Sequence, residues 1–129
     1  MVKMKVSSSE QKTINEFFRK HVDRGYKNPM NSVRLSVDHT PEHRVRIFEV
    51  CNALLEEKIP FWTEVRLNCG CIPDIVTPTH IVKFIEVFGT EKIEDFYSNK
   101  YDKYKSAGFV TSDFIFIEAR SEFSKNLLW

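Results

Sequence analysis

Residues 81–88 carry the sequence IVKFIEVF, and this stretch decides the fold. Its residues are nearly all β-branched or aromatic, which is typical of a central β-strand that is covered on both faces. Glu86 interrupts the apolar run, and a carboxylate buried in such a strand loses its contacts with water. The stretch therefore predicts a buried strand with one carboxylate, whose charge needs a partner in place of water.

The segments around this strand predict a mixed sheet. Residues 61–67 alternate between two faces, residues 68–71 form a turn and residues 72–76 are again extended, so these two runs predict a β-hairpin. A helix over about residues 91–107 and a buried strand over residues 114–117 follow. Because strand, helix and strand in this order form a right-handed crossover, we expect the last strand to lie parallel to the central one.

Helices are predicted before and after the sheet. Ser9 can cap the first helix, and Gly25 ends it. In the second helix Thr40 is the cap and Pro41 is the first residue. A short closing helix is expected after Ser121, where apolar residues could dock on the core.

Composition and charge restrict the class of protein. Of the 129 residues 42% are hydrophobic and 29% are charged, which predicts a single folded domain over residues 1–129. A net charge of +1 excludes the basic excess of a general nucleic-acid binder, so a nucleic-acid site would have to be local. No apolar run approaches the roughly 20 residues of a membrane helix, and residues 1–6 lack the apolar centre of a signal peptide, so we expect a cytoplasmic protein.

Two acidic residues lie in segments that are otherwise apolar. Asp74 lies among Ile72, Ile75 and Val76 in one predicted strand, and Glu86 lies in the next. They are 12 residues apart across a turn, a spacing at which antiparallel neighbours can bring two side chains to one spot. A divalent cation would compensate both charges, because Mg²⁺ is typically held by one or two carboxylates with water and phosphate oxygens. An arginine or lysine partner, or exposure at a strand end, is the alternative.

These residues also carry a family resemblance. Glu64, then Ile-Pro-Asp74, then Ile-Glu86-Val-Phe-Gly resembles the strand core of the PD-(D/E)xK nuclease superfamily, which includes restriction-endonuclease-like and archaeal Holliday junction resolvase-like enzymes. The order of elements over residues 41–117 is similar as well. The resemblance implies a restriction-endonuclease-like α/β (α+β) fold, with a mixed β-sheet of four or five strands flanked by helices. Residues 1–38 would be an N-terminal helical extension of that domain.

The resemblance implies hydrolysis of DNA phosphodiester bonds with Mg²⁺ or Mn²⁺ as the cofactor. Asp74 and Glu86 match the motif, so they would be catalytic metal ligands, and Glu64 would be a third catalytic and metal-binding acid. A surface ion pair between Glu64 and Arg66 is the alternative for that residue. The acid that some members carry on the preceding helix would be Glu42 or Glu49.

The motif's lysine belongs two residues after the glutamate, where this chain has Phe88. Related families supply the cation from elsewhere, and Lys100 on the predicted third helix would be such a relocated catalytic group. Lys92 and Lys103 are weaker substitutes. A lysine on an amphipathic helix often extends into water, which is the alternative for Lys100. The expected contacts with DNA come from His43, Arg46, Lys100 and Lys103.

Two histidines flank the start of the second helix. His39 and His43 are four residues apart, a spacing that permits metal binding, and a histidine near this position recurs in the proteins that the chain resembles. The sequence favours helix capping or a phosphate contact, because a zinc site needs more ligands. The other metal-ligand side chains grouped nearby in sequence are Cys69 and Cys71, which are too few for a closed tetrahedral site.

The leading hypothesis is therefore a metal-dependent deoxyribonuclease. Its substrate could be a junction, a flap, a single strand or a duplex, because only contacts away from the core would choose among them. The missing lysine at Phe88 keeps open an inactive nucleic-acid-binding or protein-interaction module on the same fold. A small metal-binding regulator is a third hypothesis. A homodimer is a further expectation, since the terminal helices carry more apolar surface than a small core covers.

Overall fold

The computed structural model describes residues 4–89 and 93–129, and the fold is that of these residues. They contain four α-helices and four strands in a mixed α+β arrangement. Within this part of the chain, none of the helices has the length and apolar character that crossing a membrane requires. The elements in chain order are α1 (Ser8–His21), α2 (Pro41–Glu56), β1 (Trp62–Thr63), β2 (Ile75–Val76), β3 (Phe84–Phe88), α3 (Ile93–Asn99), α4 (Tyr101–Ser106) and β4 (Phe114–Glu118).

The strands form one sheet in the order β1-β2-β3-β4. The β1–β2 and β2–β3 pairs are antiparallel, whereas β3 and β4 are parallel, with Phe84 opposite Phe114 and Phe88 opposite Glu118. The mixed sheet that the sequence predicts, with its last strand parallel to the central one, is therefore confirmed. All five residues of β3 are buried, as expected for a strand that is covered on both faces.

The two faces of β3 belong to different hydrophobic clusters, because side chains alternate along a strand. Phe84 and Phe88 face an aromatic cluster that also receives residues from α1, α3, α4 and β4. In that cluster the Phe84 ring lies 5.0 Å from the ring of Phe114 and 5.3 Å from that of Tyr104. On the opposite face the aliphatic residues of β3 pack with those of α2, and this second cluster includes Ile47, Val50, Leu54, Ile85, Val87 and Ile117.

The helix boundaries show where local capping decides the structure. The Thr40 side chain accepts a hydrogen bond from the His43 amide and Pro41 begins α2, as predicted. The first helix differs from the prediction at both ends. Its cap is Ser7 rather than Ser9, because Ser7 and Glu10 form a reciprocal capping box. It ends at extended Val22 rather than at Gly25.

The predicted third helix is broken in two. Residues 91 and 92 lie outside the described residues, and Lys100 separates α3 from α4 with a φ of −122°. Phe96 and Tyr104 are both buried in the aromatic cluster. Eight residues of regular helix rise about 12 Å along the axis, whereas the centroids of these two rings lie 5.7 Å apart. The break therefore allows both rings to reach the same cluster, and it leaves Lys100 at the junction.

The first strand is shorter than the sequence predicts because of one backbone angle. Glu64 has a φ of 49°, in the left-handed region that a non-glycine residue rarely adopts. The extended run therefore stops after Thr63. Beyond the interruption Val65 shares a cluster with Trp62 instead of with Phe61, so the predicted alternation is wrong from this point.

The chain end closes with one 3₁₀ turn rather than with a helix that begins at Ser121. This turn spans Lys125–Leu128 and follows Ser124. Leu128 is fully buried in the aliphatic cluster, whereas Trp129 is exposed. The expected docking of the apolar terminus is thus made by Leu128.

Replacing Phe84 tests the aromatic cluster. Phe84→Ala is expected to lower the free energy of unfolding by about 3–5 kcal/mol, because it removes a fully buried ring from a packed site. Phe48→Ala is the matched control, since Phe48 is 58% exposed on α2, and it is expected to cost less than about 1 kcal/mol. Urea denaturation measures both values. Equal losses would contradict the described packing.

Candidate active-site cleft

Asp74, Glu86 and Lys100 line one cleft, with a volume of about 200 Å³. His39 and His43 lie on its wall as well. The residues come from the loop before α2, the first turn of α2, the β2–β3 pair and the α3–α4 junction. Groups that lie far apart in the sequence therefore meet at one end of the sheet.

Strand pairing brings the two acids together. Ile75 lies opposite Ile85 in the antiparallel β2–β3 pair, so one further step along the same register sets Asp74 opposite Glu86. A hydrogen bond joins Asp74 to β3 at this end of the strand pair, because the Val87 amide donates to Asp74 Oδ2 at 2.8 Å. The antiparallel pairing that the 12-residue spacing permits thus delivers both carboxylates to the same end of the sheet.

Asp74 is surrounded by polar groups from the start of α2. Its Oδ2 lies 3.5 Å from His43 Nε2, and its Oδ1 lies 3.9 Å from His39 Nε2. Only 12% of the Asp74 side chain is exposed, so its charge acts through poorly hydrated surroundings. Burial raises the pKa of the nearby Cys51 thiol to about 12, and the negative charge of Asp74 adds to that shift.

Glu86 is buried more deeply, with 7% of its surface exposed. The Tyr104 hydroxyl donates to Glu86 Oε1 over 3.4 Å. Burial raises the pKa of Tyr104 above its ordinary range, and the negative charge of Glu86 raises it further, so the phenol keeps its proton. Burial also raises the pKa of Cys71 to about 12, with smaller contributions from Cys69 and Glu86. Burial is the main cause of these raised pKa values, and the charge of Glu86 adds to it.

The lysine candidates are placed differently. Lys100 lines the cleft from the α3–α4 junction. Lys103 is exposed on α4, and its positive charge slightly opposes the raised pKa of Cys71. Lys92 lies outside the described residues. Of the two candidate lysines among the described residues, Lys100 is the one that lines the cleft with both acids.

The other acidic candidates lie apart from the cleft lining. Glu64 lines a neighbouring depression together with Arg34 and Arg66, because its left-handed backbone turns the chain there. Glu49 lies 3.5 Å from the Nε of Arg46, one turn earlier on α2. Glu42 is exposed in the first turn of α2. The structure brings Asp74 and Glu86 together and leaves Glu64, Glu42 and Glu49 elsewhere.

Arg46 binds the chain's own C-terminal segment. Its guanidinium donates to the carbonyl of Glu118 at 2.7 Å and to the carbonyl of Ser121, and it lies over the ring of Phe123. The residue is buried, so these groups face protein rather than solvent. These contacts give Arg46 a structural role in holding the C-terminal segment. The DNA contact expected for Arg46 stays a prediction.

The contact between the two histidines and Asp74 was not foreseen from the sequence. The four-residue spacing of His39 and His43 is the signal for it, but Asp74 lies more than 30 residues later and its approach depends on the folded sheet. The cysteines considered as further ligands line other depressions, Cys71 with Gly70 and Cys69 with Ala107.

No family model, curated protein or solved structure matches this chain. The described lining of the cleft combines three carboxylates, those of Asp38, Asp74 and Glu86, with two imidazoles and one lysine at the end of a buried strand pair.

The raised pKa of Cys51 predicts a thiol that reacts slowly. A group with a raised pKa stays protonated to higher pH, so at about pH 8 the thiolate fraction of folded Cys51 is roughly 1000-fold below that of a free thiol. Alkylation of Cys51 by iodoacetamide is expected to be at least roughly 100-fold slower in the folded protein than in urea. Peptide mass spectrometry measures both rates, and equal rates would contradict the described burial.

Proposed function

We propose that this protein is a metal-dependent nuclease that hydrolyses phosphodiester bonds of DNA, with Asp74 and Glu86 holding a Mg²⁺ or Mn²⁺ ion. The observation that carries the proposal is the single cleft lined by both acids and Lys100. The order of the described helices and strands agrees with the resemblance to PD-(D/E)xK nucleases, which supports a restriction-endonuclease-like fold as part of the same proposal.

A cation offers a physical reason for the two acids. Partial burial of a carboxylate costs free energy, and two carboxylates at one end of a sheet also repel each other. A divalent ion between Asp74 and Glu86 would offset both effects. Asp74 Oδ2 already accepts the Val87 amide, so Oδ1 is the oxygen best placed to bind the ion. Such an ion activates water for attack on phosphorus and offsets charge in the transition state.

Lys100 supplies the positive charge that the motif otherwise places at position 88. Phe88 is buried, and its ring stacks 5.3 Å from that of Phe116, so this position serves the aromatic cluster. The junction between α3 and α4 sets Lys100 on the cleft instead. An ammonium group there would stabilise the negative charge that develops on the phosphate.

A basic depression next to the cleft supports DNA as the substrate. It is lined by Lys27, Arg34 and Arg66, and Ile72 lines both this depression and the cleft. Exposed lysines and arginines hold nucleic acids mainly through the phosphates. A DNA strand that crosses Ile72 would have basic side chains beside the scissile position, although the net charge of the chain is only +1.

A second candidate function is a nucleic-acid-binding module that does not cut. The observation that favours it is Phe88, because the usual lysine position is occupied by a buried aromatic ring. The basic depression would then bind DNA without hydrolysis following.

Cleavage of DNA in the presence of Mg²⁺ or Mn²⁺ tests the nuclease proposal. Asp74→Asn and Glu86→Gln are each expected to lower the cleavage rate at least about 100-fold, because either change removes a ligand charge from the ion. Lys100→Met is expected to lower it about 10- to 100-fold while DNA affinity changes less. Gel assays on duplex, single-stranded, flap and junction substrates measure these rates.

Glu122→Gln is the matched control, since it neutralises an exposed acid near the C-terminus, and it should cut at the rate of the unchanged protein. Circular dichroism checks that each variant folds. Equal residual cutting by Asp74→Asn and the unchanged protein would show a contaminant and contradict the proposal. DNA binding without cutting would favour the second candidate.

A further inference from the structure

Three potential metal-ligand side chains converge on one wall of the cleft. One ligand atom each from His39, His43 and Asp74 lies within 4.8 Å of the other two. All three side chains are partly buried, with 23%, 13% and 12% of their surfaces exposed. Glu86 lines the same cleft without belonging to this group, so the two imidazoles define a position of their own.

The distances suit shared coordination better than direct hydrogen bonding. His43 Nε2 and Asp74 Oδ2 are 3.5 Å apart, and His39 Nε2 and Asp74 Oδ1 are 3.9 Å apart. An N–H···O hydrogen bond is typically shorter than about 3.2 Å. Two ligand atoms on a tetrahedral ion with bonds of about 2.1 Å lie roughly 3.4 Å apart. An ion could therefore occupy this position after small side-chain movements.

Two imidazole nitrogens at this position lack a hydrogen-bond partner among the described residues. They are His43 Nε2 and His39 Nδ1, and both atoms are buried. Buried polar atoms in proteins are nearly always satisfied, so an unsatisfied one points to a ligand that belongs there. For His43 the unsatisfied atom is the one that faces Asp74.

The surrounding backbone holds the three side chains in place. Thr40 caps α2 through the His43 amide, and Arg44 donates to the carbonyl of His39. The Val87 amide orients the carboxylate of Asp74. The two imidazole rings are stacked with centroids 3.9 Å apart and planes 12° apart. The ring planes are thus nearly parallel, and a shared ion requires one ring to turn about its Cβ–Cγ bond, a soft torsion.

We propose that His39, His43 and Asp74 form a binding site for a Zn²⁺-type transition-metal ion. Imidazole nitrogen prefers Zn²⁺, Co²⁺ and Ni²⁺, whereas Mg²⁺ prefers an all-oxygen shell. Three protein ligands leave a coordination position for water or another small ligand. This site goes beyond the proposed nuclease function, because metal binding by the imidazoles requires neither DNA nor its cleavage.

Metal titration of the full chain tests this site. Calorimetry with Zn²⁺ and with Mg²⁺, both without DNA, is expected to give an affinity for Zn²⁺ at least about 100-fold higher. Bound Co²⁺ is expected to give the visible absorption band of a four-coordinate ion, with three protein ligands and one further ligand. His39→Gln, His43→Gln and Asp74→Asn are each expected to weaken Zn²⁺ binding about 10- to 100-fold.

His21→Gln is the matched control, because His21 lies on α1 and packs on Phe17 and Phe109 outside the cleft. It is expected to bind Zn²⁺ like the unchanged protein. Glu86→Gln is expected to keep Zn²⁺ binding within about threefold, whether or not the protein cuts DNA, which separates this site from the nuclease proposal. Circular dichroism confirms that each variant is folded.

Two results would overturn the inference. One is an affinity for Zn²⁺ that does not exceed that for Mg²⁺. The other is an equal loss of Zn²⁺ binding in His21→Gln and in folded His43→Gln, since binding would then not depend on the two cleft histidines.

Discussion

Two largely buried carboxylates at the end of the β2–β3 pair set the main electrostatic constraint on this structure. Pairing of Ile75 with Ile85 carries Asp74 and Glu86 to the same place, where both carboxylates are largely withdrawn from water. Like charges in such surroundings interact strongly, so positive charge is needed close by. Lys100 lines the same cleft, and the proposed metal ion would add positive charge between the two acids.

The hydrophobic clusters hold this arrangement together from both sides of the sheet. Aromatic packing around Phe84 fixes β3 against β4, and aliphatic packing of α2 on Ile85 positions the first turn of α2. That turn carries His43, and its cap Thr40 adjoins His39. Phe96 and Tyr104 enter the aromatic cluster from the two sides of the helix break at Lys100. Core packing and the polar cleft therefore depend on the same elements.

The sequence predicts those parts of the fold that rest on local patterns. The apolar run of residues 81–88 predicts the central strand, although the strand itself spans only Phe84–Phe88, and the Thr40-Pro41 pair predicts the start of α2. The left-handed conformation of Glu64 escaped prediction, because no glycine or asparagine marks it.

The site was predictable only in part. Asp74 and Glu86 stand out because each is an acid in an apolar segment, and their 12-residue spacing across a turn is short enough for antiparallel neighbours to pair them. The approach of His39 to Asp74 and the position of Lys100 depend on tertiary packing of α2, α3 and α4. Periodicity carries no information about such contacts. From the sequence, the histidines show only a spacing that permits metal binding, and Lys100 is one of three candidate lysines.

The central claim is that Asp74 and Glu86 share one divalent ion. A crystal of the protein soaked in Mn²⁺ tests it directly through the anomalous scattering of manganese. If the two acids share one ion, an anomalous peak is expected within about 2.5 Å of a carboxylate oxygen of each residue. A peak bound to only one of the two acids or to neither, or no peak in the cleft at saturating Mn²⁺, would contradict the shared ion.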